Sequence, residues 1–495
     1  MSSEESIRVR IAPSPTGLLH VGTVRTALFN YYFARQNKGN FIIRIEDTDT
    51  ARSTKEYEEN IITGLQNLGL VADEDPIKGG PFGPYRQSER KATYRPYLEQ
   101  LLAEGKAYYC YCTKEELEKV HKEQMAQKQA PRYPGTCHGR SEEDKKNRIA
   151  EGIVPVIRLK IPGSLKTVVF KDLIRGKIEQ HTKELDDFII AKDLDNPLYN
   201  FVVVIDDVMM KITHIIRGED HIPNTFKQVL IYQAIGVKNP PHFAHLPLIL
   251  NSDKTKLSKR KNKVSINDYL GEGYLPEAIL NFLSLLGWNP GNNQEVMDLN
   301  TITSLFNLGK VQKSSAVFDT TKFLWINGQY IRSLPFEKFI ERSRNFLGKY
   351  AEQNPTLLEH ALVLIQERCK KLSDIPELLA PLLEEKDIDI SLLTSQKIPP
   401  TTVALALEIG QRVMQNWDKS EAFTIVNKAE ICEELKQLFL KEIVAHNLKN
   451  GDVLWPIRAA LSGQQSSPGA FEMIWFSGRE KSLQKLKIAH AALRT

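Results

Sequence analysis

The N-terminal part of the chain alternates short apolar runs with helical patterns, and this order limits the fold more than any other feature. A strand is predicted at Arg8–Ala12, followed by a Pro- and Gly-bearing loop and a helix over 21–35. After Gly39 a second strand is predicted at 41–45, and a second helix over 57–68. Strand, helix, strand, helix at this spacing predicts a parallel sheet with right-handed crossovers.

The same alternation returns later in the chain. Tyr199–Asp207 is a nearly continuous apolar run, which predicts a strand buried on both faces. Another strand is predicted at 212–217, and a helix over 223–235 with Pro223 at its start. Between these two parts, cysteines, a Lys/Glu-rich helix and Pro/Gly segments break the pattern and indicate an inserted domain.

From about residue 322 onward the helical pattern is continuous, with core-facing stripes such as Leu435, Leu438, Phe439 and Ile443. We therefore predict a multidomain α/β plus all-α fold. A Rossmann-like parallel nucleotide-binding sheet is split by an inserted domain and followed by a C-terminal α-helical region. The predicted domains are 1–87 and 197–242 for the two halves of the catalytic domain, 88–196 for the insertion, 243–330 for a domain with a basic loop, and 331–495 for the helical region, subdivided near 390.

Composition limits the class of protein. A chain of 495 residues is too long for one hydrophobic core, so three or more domains are expected. It contains no apolar run of about 18 residues, and its polar start, Met1–Ser6, lacks the features of a signal peptide, so we expect a cytoplasmic protein. Five cysteines do not suggest a disulfide framework. The net charge of +5 is mild and does not by itself indicate a polyanionic partner.

The loop after the first predicted strand has the features of a phosphate site. Ligands of open parallel sheets bind beyond the carboxyl ends of the strands, where Pro13–Gly17 is placed. Gly17 and Gly22 allow the backbone to approach a nucleotide, and the helix N-terminus that follows favours phosphate. His20 can donate to a phosphate oxygen, although a lone histidine in a turn is more often structural.

A second string, Lys256–Arg260, places two lysines at i and i+3 around Ser258. Lys256 and Lys259 lie in a polar segment, as expected of an arm that closes over a triphosphate and neutralises charge in the transition state. Alone, such a string is usually a solvated basic loop. Together with His20, it predicts a nucleoside triphosphate site.

Five blocks in a fixed order carry a resemblance to a known family. The blocks are Arg10–Gly17, Arg25–Asn30, Arg44–Asp49, Pro84–Arg90 and Ile216–His221. In them the chain resembles the class I aminoacyl-tRNA synthetases and, among these, the bacterial glutamyl-tRNA synthetase family. The similarity extends from about residue 8 to Ile457–Gly463. The family's two signatures, His-Ile-Gly-His and Lys-Met-Ser-Lys-Ser, appear here as His20–Thr23 and Lys256–Arg260. A small or polar residue in place of the second histidine is common in glutamyl members.

The resemblance implies that ATP, with Mg²⁺, activates L-glutamate to glutamyl-adenylate, and that the glutamyl group then passes to the 3′ end of tRNA(Glu). The implied catalytic residues are His20, Lys256 and Lys259. The implied ATP-binding residues are Pro13, Gly17, His20, Gly22, Thr23, Lys256, Ser258 and Lys259. The implied glutamate-binding residues are Arg10, Ala12, Ser14, Glu46, Tyr199 and Arg217. The two arginines would share the carboxylates, in an order that the sequence leaves open, and Glu46 would hold the ammonium.

Three cysteines suggest a metal site. Cys110 and Cys112, followed later by Cys137 and His138, resemble the structural Zn²⁺ site of some bacterial relatives, with tetrahedral N/S ligands. His138 directly follows Cys137, which strains the geometry, so Tyr133 is an alternative fourth ligand. Buried free thiols are the other interpretation.

The resemblance also assigns roles to the outer domains: acceptor-end binding to the insertion, stem contact to 243–330 and anticodon binding to the helical region. Glutaminyl relatives end in β-barrels, whereas the tail of this chain has a helical pattern, which argues against that family. The short relative that modifies a tRNA with glutamate lacks the tail, so the length of the chain argues against it. Arg368 corresponds to an arginine that distinguishes the last anticodon base of tRNA(Glu) from that of tRNA(Gln) in some members.

Three alternatives stay open at this point. One is a non-discriminating form that also charges tRNA(Gln) with glutamate. Another is a catalytically inactive tRNA-binding paralogue, which would be expected to have lost His20 or the lysines. The third is a small-molecule nucleotidylyltransferase, which would need neither the insertion nor the tail. We expect a monomer without a membrane partner.

Overall fold

The computed structural model describes residues 6–49, 51–257, 264–385, 388–394, 398–417 and 424–493. Ser258 and Lys259, two of the predicted site residues, lie outside this part of the chain. The strands in the described part are β1 Arg8–Ile11, β2 Asn40–Ile43, β3 Ala107–Cys110, β4 Val156–Leu159, β5 Thr167–Asp172, β6 Gly176–His181, β7 Ile189–Ala191, β8 His214–Gly218, β9 His242–Leu246, β10 Ile249–Leu250 and β11 Ala316–Val317.

Helices make up most of the remainder. They are α1 Val21–Gln36, α2 Lys55–Asn67, α3 Lys91–Ala103, α4 Lys114–Ala126, α5 Glu142–Ala150, α6 Tyr199–Met209, α7 Ile222–Ala234, α8 Ile266–Gly271, α9 Pro276–Ser284, α10 Leu299–Leu305, α11 Thr320–Ser333, α12 Phe336–Ser343, α13 Pro355–Ile365, α14 Ile375–Leu383, α15 Ile390–Leu393, α16 Pro400–Asn416, α17 Lys428–Ala445, α18 Asn450–Ser462, α19 Ala470–Ser477 and α20 Arg479–Ala492. None of these described helices is both long and apolar enough to cross a bilayer.

The main sheet has six strands in the order β2-β1-β8-β9-β5-β6. Neighbours from β2 through to β5 are parallel, and β5 and β6 form an antiparallel pair. In register, Arg8 lies opposite Asn40 and Ile11 opposite Ile43. The predicted α/β fold with a parallel sheet is therefore confirmed. Strands β5 and β6 lie within the range predicted for the insertion, and they extend the main sheet.

The first strand–helix–strand unit forms as predicted. Helix α1 begins one residue after His20, which has an extended backbone and caps the helix through its side chain. After α1 the chain turns closely past the start of β1. A Cβ on Gly39 would lie 2.3 Å from the carbonyl oxygen of Ile7, so only glycine fits there.

The strand predicted at Tyr199–Asp207 is wrong, because these residues form helix α6. Phe201 through Asp207 are all buried, so residues on every side of the helix, apolar and acidic alike, lie in the interior. A continuous apolar run predicts a buried strand and a buried helix equally well. Its β-branched residues favoured the strand by propensity, and tertiary packing overrides that preference.

A second, three-stranded antiparallel sheet is formed by β3, β4 and β7 within the predicted insertion. Helices α4 and α5 contain no buried residue and accompany this sheet with largely polar surfaces. The residues Cys110, Tyr111, Tyr133 and Cys137 form a small buried cluster of their own. The insertion therefore has little hydrophobic core near its cysteines.

The chain divides into two compact units, one of residues 1–269 with 276–320 and one of residues 270–275 with 321–495. The second unit is helical in its described residues, and α16–α20 surround a core that includes Leu407, Leu435 and Phe439. The helical region expected from the sequence is thus confirmed. The domain limits given above stay predictions.

Candidate active site

A cleft of about 320 Å³ opens at the carboxyl ends of β1, β8 and β9, beside the N-terminus of α1. Among the residues that line it are ten of the predicted site: Arg10, Ala12, Pro13, His20, Gly22, Thr23, Glu46, Tyr199, Arg217 and Lys256. Ser14 and Gly17 do not line this cleft, and Ser14 is exposed. Additional lining residues, to which the sequence analysis assigned no role, include Arg25, Asp220 and His221.

His20 marks the point where the cleft meets the N-terminus of α1. Its Nδ1 accepts the backbone N–H of Gly22 at 2.9 Å. A Cβ on Gly22 would approach that nitrogen to 3.2 Å, so glycine permits the close contact. Because Nδ1 accepts, a neutral His20 carries its proton on Nε2, where it can be donated to a phosphate oxygen. The helix N-terminus adds a favourable field for the same anion.

Arg10 is oriented by a carboxylate beneath the cleft. Its Nε and Nη2 atoms each donate to Asp207 over 3.1 Å. Asp207 also accepts from Nη1 of Arg44 at 2.6 Å, and Nη2 of Arg44 donates to Glu46 at 3.2 Å. No described residue accepts from Nη1 of Arg10. Its end-on edge, Nη1 with the second Nη2 hydrogen, is therefore left for an anion in the cleft.

Arg217 is held more completely. Its Nε donates to Nε2 of His245 at 3.3 Å, and its Nη2 donates to Thr225 at 2.6 Å and to Gln228 at 2.7 Å. Burial lowers the pKa of Arg217 to about 10, which leaves the group charged near neutral pH. An arginine can make a bidentate contact to a carboxylate. In the described structure, however, Arg217 has only Nη1 left for a ligand, because both Nη2 hydrogens are used.

Glu46 supplies a negative charge beside the two arginines. Burial raises the pKa of Glu46, and the charges of Arg44 and Arg10 oppose this shift. The hydroxyl of Tyr199 lies 3.3 Å from Nδ1 of His221. Burial raises the pKa of Tyr199 to about 12 and, with the charge of Arg217, lowers that of His221 to about 4, so both rings are neutral near pH 7.

The described residues on either side of the basic loop lie at the cleft or next to it. The N–H of Leu257 donates to the carbonyl of Ile249 at 3.0 Å, next to Lys256. On the other side of the undescribed residues 258–263, the carbonyl of Val264 accepts from the N–H of Val21, the first residue of α1, at 2.9 Å. The exposed Lys256 ammonium lies 3.2 Å from Asp220. One described flank, with Lys256 and Leu257, therefore lines the cleft, and the other borders the helix that His20 caps.

The three cysteines of the insertion come together. The ligand atoms of Cys110, Cys112 and Cys137 all lie within 4.8 Å of one another. Hydrogen bonds from Cys110 and Cys112 lower the pKa of Cys137. The thiol of Cys110 donates to the Tyr133 hydroxyl at 3.5 Å, whereas Nε2 of His138 lies 2.5 Å from Oδ2 of Asp187. The arrangement groups three soft donors and a phenol, with His138 directed to a carboxylate.

Arg368 lies in the second unit, shortly after α13. Its Nη1 donates to the carbonyl of Ser467 at 3.0 Å, and its Nη2 lies 3.6 Å from Glu472. The side chain is 42% exposed, so a ligand can reach the guanidinium.

Several residues beneath the cleft were not assigned from the sequence, among them Asp206, Asp207, Asp172 and His245. The adjacent aspartates at the end of an apolar run were a usable signal, because carboxylates are rarely buried unless they are paired. Asp172 and His245 are 73 residues apart and gave no comparable signal.

A parallel sheet with a phosphate-favouring helix N-terminus, a dicationic pocket and a separate helical unit defines a class I aminoacyl-tRNA synthetase. The family described as tRNA synthetases class I (E and Q), catalytic domain, matches residues 6–325, and the anticodon binding domain family matches residues 338–490.

The glutamate–tRNA ligase of Carboxydothermus hydrogenoformans is 42% identical over 488 residues, which cover 97% of this chain and 99% of that protein. The glutamate–tRNA ligase of Natranaerobius thermophilus is 40% identical over 490 residues, which cover 97% of both chains. The crystal structure of a glutamate tRNA ligase from Elizabethkingia meningosepticum in complex with its amino acid superposes with a TM-score of 0.84. It is 35% identical and covers 99% of this chain and 100% of that one. The chain therefore belongs to the glutamate–tRNA ligase family.

Proposed function

We propose that this protein activates L-glutamate with ATP and Mg²⁺ to glutamyl-adenylate and transfers the glutamyl group to tRNA(Glu) in the cytoplasm. One observation carries the proposal. The cleft places the buried side chains Arg10, Arg217 and Glu46 beside the helix N-terminus capped by His20. Free glutamate has two carboxylates and one ammonium, so two cations and one anion match its charges.

Glutamate is bound in this proposal by the groups that the protein already holds in place. Arg10 offers the end-on edge of its guanidinium and Arg217 offers Nη1, and each takes one carboxylate. Glu46 accepts the ammonium, and Tyr199 and Ser14 add hydrogen bonds. Because Asp207 and His245 hold the arginines before the substrate arrives, little ordering is needed on binding.

Activation needs no covalent nucleophile from the protein. The α-carboxylate oxygen of glutamate attacks the α-phosphorus of ATP, the bond to the β-phosphate oxygen breaks, and pyrophosphate leaves with its electron pair. His20, Lys256 and Lys259 stabilise the charge that grows on the phosphates, and Mg²⁺ bound to the triphosphate does the same. Pro13, Gly17, Gly22, Thr23 and Ser258 complete the ATP site.

Transfer and recognition involve the outer parts of the chain. A ribose hydroxyl of the terminal adenosine of tRNA attacks the adenylate carbonyl, and AMP leaves. The helical unit binds the anticodon, with Arg368 reading its last base. The accessible guanidinium of Arg368 supports this role, since RNA bases outside a duplex are read by such donors and by stacking.

The cysteine cluster is proposed to hold a structural Zn²⁺. Thiolates are preferred zinc ligands, and three sulfur atoms within 4.8 Å fit a tetrahedral donor set. Of the two candidates for the fourth ligand, Tyr133 contacts the cluster, whereas His138 is paired with Asp187. The ion would stabilise the part of the insertion around the cysteines, where the apolar cluster is small. Elemental analysis of freshly purified protein tests this: about one zinc per chain supports it, and no zinc contradicts it.

The function is tested by amino-acid-dependent ATP–pyrophosphate exchange, with and without tRNA. We expect exchange with L-glutamate and not with glutamine, and glutamyl-tRNA formation on tRNA(Glu). Charging of tRNA(Gln) with glutamate as well would identify a non-discriminating enzyme. Absence of exchange under all of these conditions, in folded protein that binds tRNA, would identify an inactive paralogue.

The lysine assignments need separate variants. Lys256→Ala and Lys259→Ala should each lower the exchange rate about 10²-fold while changing the KM for glutamate little, since both act on phosphate charge. Lys177→Ala is a matched control, because Lys177 is exposed on β6 and pairs with Glu179. Normal exchange in either of the first two variants would show that the assigned lysine is not catalytic.

A further inference from the structure

A buried line of polar groups lies behind Arg217. Asp172 ends β5, His245 lies in β9, and Arg217 lies in β8, with exposures of 1%, 0% and 6%. Oδ2 of Asp172 is 2.7 Å from Nδ1 of His245, and Nε of Arg217 is 3.3 Å from Nε2 of the same ring. The line therefore runs from a carboxylate through an imidazole to the guanidinium at the cleft.

The partners fix the tautomer of His245. A carboxylate can only accept, so Nδ1 of His245 must carry a hydrogen and donate it to Asp172. A guanidinium N–H can only donate, so Nε2 must present its lone pair to Arg217. Burial lowers the pKa of His245, although Asp172 opposes this shift, which is consistent with a neutral ring. The Thr225 hydroxyl, 2.9 Å from Nε2, can donate to the same lone pair, so the Nδ1–H tautomer satisfies all three neighbours.

We propose that Asp172 and His245 are positioning residues that set the orientation of Arg217 for a substrate carboxylate. The proposal rests on the proposed role of Arg217 in glutamate binding. His245 holds Nε, while Thr225 and Gln228 hold Nη2, so the guanidinium plane is fixed from three sides and Nη1 is aimed at the cleft. Without the acceptor at Nε2, the guanidinium plane can turn about the Cδ–Nε bond, and Nη1 is no longer held in one direction.

Replacing Asp172 by asparagine is expected to move the ring proton of His245 from Nδ1 to Nε2. Oδ1 of Asp172 accepts the N–H groups of Ile174 and Arg175 at 2.9 and 2.8 Å, whereas Oδ2 accepts one backbone N–H, that of His245 at 3.0 Å, besides the ring. The asparagine oxygen therefore belongs at the Oδ1 position, where it satisfies two backbone donors instead of one. Its NH₂ group then faces the ring of His245. To accept from it, Nδ1 must give up its hydrogen, and the ring proton moves to Nε2. There it can donate to the Thr225 hydroxyl at 2.9 Å, but Nε–H of Arg217 loses its acceptor and faces a second donor.

The test compares Asp172→Asn and His245→Gln with Asp75→Asn in the full-length chain. Asp75 is a matched control because its Oδ1 caps two backbone N–H groups, of Ile77 and Lys78, without a histidine partner. Asp172→Asn should raise the KM for glutamate about 10- to 100-fold, with the KM for ATP changed less than about twofold. His245→Gln should raise it less, because a glutamine oxygen can replace the Nε2 acceptor. Asp75→Asn should leave both values unchanged.

Two results would overturn the inference. One is an unchanged KM for glutamate in folded Asp172→Asn and His245→Gln proteins. The other is an equal rise of both KM values, which a merely structural role produces. If Asp172→Asn does not fold, ¹⁵N NMR of the wild-type histidine rings decides instead, and an Nε2–H or doubly protonated His245 at pH 7 contradicts the proposal. Arg217→Ala separates the two hypotheses: if it leaves the KM for glutamate unchanged, the role of Arg217 itself is wrong.

Discussion

Replacing Asp207 by asparagine removes one charge from a buried cluster at almost constant volume. Three arginines and three carboxylates make up this cluster: Arg10, Arg44, Arg90, Glu46, Asp206 and Asp207. Each of these side chains is at most 6% exposed, so the charges are compensated by one another and not by water. The variant leaves one positive charge in excess beneath the cleft.

The size of the effect follows from the contacts of Asp207. It accepts two bonds from Arg10 at 3.1 Å and one from Arg44 at 2.6 Å. Removing one partner of a buried ion pair costs about 3–5 kcal/mol, because an uncompensated charge stays buried. At about 2 °C per kcal/mol for a large unit, the unfolding midpoint of the catalytic unit should fall by about 6–10 °C.

Thermal unfolding of the full chain measures this shift, and the transition that glutamate and ATP raise identifies the catalytic unit. Asp195→Asn is the matched control, because its pair with Arg95 at 3.0 Å lies at the surface, with the side chains 47% and 73% exposed. Its midpoint should equal that of the wild type. If Asp207→Asn unfolds within about 1 °C of the control, the cluster does not depend on this charge and the reasoning is refuted.

Three further predictions concern pH and metal. Burial raises the pKa of Glu46 above its ordinary value of 4.5, and protonation removes the partner of the substrate ammonium, so the KM for glutamate should rise as the pH falls through this pKa. Glu46→Gln should flatten the dependence of KM on pH. If the variant keeps the wild-type dependence, Glu46 does not have this role. Burial lowers the pKa of His214 and of His221 to about 4, so unfolding takes up protons that the folded state does not. The free energy of unfolding should therefore decrease as the pH falls from 6.5 to 4, by at most about 1.4 kcal/mol per pH unit for each ring. Denaturant titrations at several pH values measure this slope, and its absence would contradict the prediction. Cys137→Ser should lower the zinc content and increase proteolysis of the insertion, whereas Cys369→Ser, a buried thiol of the second unit, should leave the zinc content as it is.

The first strand–loop–helix unit could be predicted because its signals are local. The helix predicted over 21–35 forms as Val21–Gln36, and the strand predicted at Arg8–Ala12 forms as Arg8–Ile11. The apolar periodicity, the terminating glycine and the capping residue all lie within a few residues of the helix or strand that they define. The phosphate loop with Gly22 and His20 followed from the same logic, since ligands of parallel sheets bind beyond the carboxyl ends of the strands. The glutamate-binding residues followed from the family resemblance.

Helix α6 shows where this logic stops. Phe201 through Asp207 form a continuous buried run, which fits a strand as well as a helix, so only the tertiary structure distinguishes the two. Because Asp206 and Asp207 are neighbours on a helix, their side chains leave it in different directions and meet different partners. Asp206 accepts from Gln87 and Arg90, while Asp207 accepts from Arg10 and Arg44. These partners are 116–197 residues distant in the chain, so no local pattern could have revealed them.

The unequal hydrogen bonding of the two arginines bears on a question that the sequence leaves open, namely which arginine takes the side-chain carboxylate. Arg10 keeps an end-on edge with two N–H groups, and a glutamine amide placed there would set its NH₂ against one of them. Sites that leave a polar group unpaired in this way reject the wrong substrate by about 10⁴–10⁵. Arg217 keeps one nitrogen, and the amide oxygen of glutamine can accept from it, so discrimination there rests on charge alone and is weaker. The ratio of kcat/KM for glutamate over that for glutamine therefore reports the assignment. A ratio of about 10⁴–10⁵ places the side-chain carboxylate on Arg10, and a ratio of about 10² places it on Arg217.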